Sequence, residues 1–224
     1  MQSPNYVIVG SNAAAFSINK VLRNTYLLLS ATLFFSAITA IWGVRNNVHP
    51  GMFITIIGVF GLLFLTQALR NSKWGLAATF AFTGFMGYTL APILNLYMHT
   101  FANGGALIAT ALGGTAAIFL SLSGYVLITR KSFTYLGGLL FAAITVAFLL
   151  SLATLFFHTP IMQAGISAAF ILICSGLILF HTSQIIEGGE RNYISATISL
   201  YVALFNLFVS LLNILGFFAG SNRQ

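Results

Sequence analysis

Seven apolar runs, separated by short polar breaks, set the pattern of this 224-residue chain. They cover residues 25–43, 52–69, 75–97, 106–129, 135–157, 161–180 and 193–218. A bilayer core about 30 Å thick takes about 20 apolar residues per helical span, which each run approaches. The runs are apolar on every face, unlike the alternating strands of a β-barrel. A lipid-exposed segment must also satisfy its backbone hydrogen bonds internally, so each run is expected to be a helix. The pattern therefore predicts an all-α, polytopic membrane protein with seven transmembrane helices. An N-terminal tail (1–20) precedes the bundle (21–218), and a short C-terminal tail (219–224) follows it. Short connections around 70–74, 130–134 and 158–160 predict that consecutive helices are antiparallel neighbours.

Composition narrows the chemistry. The chain is 58% hydrophobic and only 5% charged, against about 25% charged in soluble domains. It contains no aspartate, and its two glutamates, Glu187 and Glu190, share the break before the seventh run. General acid–base pairs and hard-cation sites need carboxylates. No catalytic residue, metal site or cofactor is therefore expected, and the chain does not read as an enzyme. The net charge of +7 does not point to nucleic acid, because the basic residues punctuate the runs singly or in pairs. If the spans alternate, Lys20, Arg23, Arg70, Lys73, Arg130, Lys131 and Arg191 fall on one side, and Arg45 and Arg223 on the other. The positive-inside rule then places the N-terminus in the cytoplasm and the C-terminus across the membrane. The tail lacks a basic n-region and a long apolar core, so the first span is expected to act as an uncleaved anchor.

Small residues recur within the runs, as at Gly58, Gly84, Gly87 and Gly114, and imply close helix packing. Pro92 removes a backbone hydrogen bond from the third helix and predicts a bend there, static or hinge-like. Cys174, the single cysteine, reads as a small packing residue. His49, His99 and His158 fall near the outer ends of spans and His181 near the inner end. They lack ligand spacing and read as interfacial side chains.

The seventh run carries ordered polarity. At 100° per residue, Ser195, Ser199, Asn206, Ser210 and Asn213 share an arc of about 60°. Polar groups in hydrocarbon need partners, so this stripe is expected to face the interior and the last helix to lie at the centre. It could serve as interhelical hydrogen-bonding glue or line a water or ion path. Near its start, Glu187, Glu190 and Arg191 lie on the same side as Arg70 and Lys73, where ion pairs between loops are expected. Glu190 also suits a helix N-terminus.

Several stretches carry a family resemblance: Lys20-Val-Leu-Arg-Asn-Thr-Tyr26, Phe80-Ala-Phe-Thr-Gly-Phe85, Pro92-Ile-Leu-Asn95, Ala111-Leu-Gly-Gly-Thr115, Thr129-Arg-Lys131 and Leu136-Gly-Gly138. The strongest lie between residues 186 and 216: Gly188-Gly-Glu190, Asn192-Tyr-Ile194, Ser199-Leu-Tyr-Val202 and Phe208-Val-Ser-Leu-Leu212. By these the chain resembles the bacterial inner-membrane branch of the Bax-inhibitor (TMBIM) family, from residue 20 to 216. The resemblance implies a seven-helix bundle with the last helix central. It also implies a partner, the membrane-anchored ATP-dependent protease FtsH with its membrane-bound regulators, which such proteins modulate through the cytosolic N-terminal tail. Another branch of the family implies a pH-sensitive calcium leak, gated by two acids sharing a proton between the sixth and seventh helices. Those positions fall on His181 and Ala203 here, and neither is acidic. A shared-proton pair needs carboxylates, so calcium is not an expected ligand.

Overall fold

The structure, a computed structural model, describes residues 5–154 and 159–221, with side chains for 18–152, 154 and 159–220. His158, Arg223 and the end of the fifth apolar run lie outside the described residues. The described chain forms α1 (Asn5–Arg45), α2 (Met52–Leu69), α3 (Gly75–Thr100), α4 (Gly104–Thr129), α5 (Leu136–Ala153), α6 (Pro160–Ile186) and α7 (Tyr193–Ser221). Six helices are long and apolar enough to cross a membrane, α1 doing so over Ile18–Arg45; α5 contributes a shorter apolar stretch, Leu136–Leu152. The protein is an all-α, multi-pass membrane protein.

The seventh helix occupies the centre, packed against α1, α3, α4 and α6. Leu200, Leu207 and Leu212 on it are wholly buried. Helices α2 and α5 are outriders. The first rests on α3 and the second on α6, and both turn large apolar side chains outward, such as Phe53, Phe64, Phe141 and Phe148. In a bilayer those faces meet lipid.

Small residues set the closest contact, between α1 and α3. A Cβ on Gly87 would collide with the Ser36 carbonyl and the Thr39 hydroxyl, and one on Gly43 would sit 2.7 Å from the Ala91 Cβ. Removing both side chains lets the two backbones approach. Pro92 lies inside α3, which continues to Thr100.

Helix α1 runs without a break from Asn5 into the first span. No proline interrupts residues 5–45, so the chain has no strong local reason to leave the helix. One sequence expectation changes: not all consecutive helices are neighbours, since α4 and α5 do not pack along each other, although only six residues separate them. The connection is drawn to α6 instead, where the Phe133 amide donates to the Ser183 hydroxyl at 2.9 Å.

Candidate functional site

One end of the bundle gathers three connections: α2–α3, α4–α5 and α6–α7. Helix α6 closes in a Schellman turn, with Gly188 at φ +74°. The Gly188 amide donates to the Ile185 carbonyl at 3.2 Å and the Gly189 amide to that of Gln184 at 2.9 Å. Glycine suits this left-handed position, where a Cβ would be strained. The turn brings Glu187 to the α4–α5 connection. Its carboxylate accepts from Thr134 at 3.2 Å and from Ser183 at 3.0 Å. A hydrogen bond from Ser132 is the main influence holding this carboxyl below its ordinary value; slight desolvation opposes it, and Ser183 and Thr134 add to it.

Beside it, Asn192 caps α7. Its side-chain oxygen accepts from the amides of Ile194 at 2.9 Å and Ser195 at 3.2 Å. Its side-chain amide donates to the Arg70 carbonyl at 3.0 Å and to Asn71 Oδ1 at 2.7 Å. Glu190 completes the turn, accepting from the Asn192 amide at 2.8 Å and the Ser195 hydroxyl at 2.9 Å. The central helix is thus tied at its first turn to the α2–α3 connection. Sequence reasoning missed Asn192, although an asparagine directly before an apolar helix is a recognisable cap signal.

Among the described residues, the expected ion pairs give way here to hydrogen bonds. Glu187 and Glu190 turn to hydroxyls and a backbone amide. Arg70, Lys73 and Lys131 extend outward, and Arg191 donates from Nε to the Gly188 carbonyl at 3.2 Å. Tight turns bring the short side chains together, while long basic stems keep their charges in water.

The polar stripe of α7 is not uniformly inward. Ser195 and Ser210 are buried, Ser199 and Asn206 are half-buried, and Asn213 is exposed. Asn206 donates to the Val202 carbonyl of its own helix at 2.9 Å, which lowers the cost of lying at a partly covered position. Asn213 accepts from the Tyr97 hydroxyl at 3.2 Å.

A deeply buried polar contact belongs to a residue outside that stripe. Tyr201, 1% exposed, shares a 2.6 Å hydrogen bond with the Ser36 hydroxyl and donates to the Thr83 carbonyl at 3.1 Å. Its ring meets Phe82 edge-on. One side chain therefore joins α1, α3 and α7. Of the gate-equivalent positions, Ala203 is buried within the core, while His181 is half-buried with its ring against Phe180. Among the described residues, no group of three or more His, Cys, Asp or Glu side chains is placed to hold a metal ion. Cys174 is buried in α6 as a free thiol, and His49 and His99 are exposed near helix ends.

Comparison with known proteins adds what geometry alone does not. The family model described as "Inhibitor of apoptosis-promoting Bax1" matches residues 18–220. The chain is 55% identical to "Modulator of FtsH protease YccA" of Escherichia coli K12, over 90% of this chain and 91% of that protein. It is equally similar to "Inner membrane protein YccA" of a second Escherichia coli strain. An uncharacterized protein of Pseudomonas aeruginosa is 49% identical over 99% of this chain and all of its own length.

Proposed function

We propose that this chain, which belongs to the Bax1-inhibitor family, is a non-enzymatic inner-membrane protein that binds the ATP-dependent membrane protease FtsH and modulates it by inhibition. The observation that carries this reading is the 55% identity, across nine-tenths of both chains, to a relative named as a modulator of FtsH protease. The bundle end bearing Lys20, Arg23, Arg70, Lys73, Arg130, Lys131 and Arg191 then faces the cytoplasm, in keeping with the positive-inside rule. On that side α1 continues from its apolar span back to Asn5. Those thirteen residues, 5–17, reach about 20 Å beyond the span at 1.5 Å per residue, long enough to offer an ATPase a handle. Residues 1–20 are that handle, and the packed bundle behind it resists extraction.

Deleting residues 1–20 tests this. FtsH should cease to retain or process the shortened protein; unchanged retention and turnover would reject the handle. The other activity in the family, a pH-gated cation leak, lacks its carboxylates at His181 and Ala203. Its remaining route would be the side of α7 bearing Asn206. Calcium flux into proteoliposomes at several pH values, with Asn206→Leu as control, is expected not to exceed that of empty vesicles. Flux abolished by Asn206→Leu would favour the leak.

A further inference from the structure

A long slot opens between α1 and α4, which do not pack along each other. Its volume is about 460 Å³, within the ~300–1,000 Å³ range of small-ligand pockets. Ala37 and Ile41 form one wall and Leu112 and Ala116 the other, while Leu204 and Phe208 of the central helix form the floor. Ile41 and Leu112 stand exposed at the mouth, on helix faces that meet the bilayer. The slot lies in the half of the bundle nearer the α1–α2 and α3–α4 connections, as its lining residues on α1, α3 and α4 show.

The hydroxyls in the lining are already engaged. Ser36 and Tyr201 bond each other, Tyr201 also donates to Thr83, and Thr115 donates to the Ala111 carbonyl at 2.7 Å. A polar solute or cation would find few free groups to replace its hydration. The lining on α4 alone extends from Ile108 to Leu120, about 18 Å at 1.5 Å per residue. A single flexible hydrocarbon chain can follow that length and exchange directly with the surrounding bilayer.

We propose that this slot is a lipid-binding site that takes one acyl chain of a bilayer phospholipid from the leaflet on that side. Ala37 and Ala116 are its gatekeepers, since their small side chains on the two facing walls leave the slot open. Both are exposed in the unfilled slot, so leucine at either position fills space without displacing the core.

The test reconstitutes the full-length protein in phosphatidylethanolamine vesicles carrying a trace of the same lipid with a diazirine at one acyl-chain end. After illumination, adducts are mapped by mass spectrometry. Adducts should concentrate on residues 33–41 and 108–120. In the Ala37→Leu/Ala116→Leu double variant they should fall about tenfold, the ratio given by a 1.4 kcal/mol preference. A control Ala142→Leu on the exposed face of α5 should leave them unchanged. Equal labelling of α2 and α5, or labelling indifferent to the double variant, would overturn the site. In native membranes a benzophenone amino acid in place of Leu112 should yield lipid-mass adducts. Adducts to another protein would instead assign the slot to a partner helix and overturn the lipid reading.

Discussion

Tyr201 shows how one side chain can set the centre of the bundle. Its hydroxyl joins α1 and α3 to α7, and its ring is buried among apolar neighbours. Membrane-buried hydrogen bonds contribute about 0.6 kcal/mol on average and up to about 1.7. Tyr201→Phe should therefore lower unfolding stability in mild detergent by about 0.5–1.7 kcal/mol without altering helix content. A loss near zero would show that Ser36 finds another partner at no cost. At Gly87 the obstacle to a methyl group is backbone as well as side chain. Gly87→Ala should cost about 1–3 kcal/mol by forcing α1 from α3, read as a lower melting temperature. At this scale the sequence was only partly legible. Hydropathy selects Asn206 and Ser199 by their polarity, yet cannot see that Asn206 bonds to its own helix. Tyr201, counted as apolar, carries the deeper hydrogen bond.

The elements were easier to read, because span length is fixed by the bilayer and each run has to meet it. Residues 52–69 predicted α2 at its observed bounds, and α7 begins at the expected residue, Tyr193. The ends of α1 and α6 extend past their apolar runs, since hydropathy ends where lipid ends while the helix does not. The α4–α5 connection could not be read from loop length, because hydrogen bonds to Ser183 and Glu187 tie it to the end of α6. The cap on α7 supplies a prediction. Asn192→Ala should cost about 1 kcal/mol, within the 0.5–2 range for caps, and raise hydrogen exchange in residues 70–74 as well as in the first turn of α7. An effect confined to α7 would mean that the link to Arg70 and Asn71 is incidental. Glu187 gives the pH dependence. Its folded-state pKa lies below the ordinary 4.5, so its contribution is complete above that value and is lost as pH falls through the depressed one. Hydrogen exchange across residues 132–135, corrected for intrinsic rates, should rise on acidification in the native chain. In Glu187→Gln it should start higher at neutral pH and change little. Equal acid response in both proteins would remove Glu187 from this role.

At the scale of the whole molecule, the chain is a scarcely charged bundle built around a buried central helix. Packing of α7 by four helices makes extraction of α1, one of the four, disruptive to the centre. The helix α1 leads back from its apolar span to Asn5. Under the proposed function, FtsH grips this helix yet struggles to unravel the bundle, which is one way to occupy and restrain the protease. The most direct measurement is the turnover of a second membrane substrate by purified FtsH in proteoliposomes, with this protein present in full length or lacking residues 1–20. The account predicts slower turnover with the full-length chain and an uninhibited rate with the shortened one. Turnover unaffected by the full-length chain at saturating amounts would contradict it.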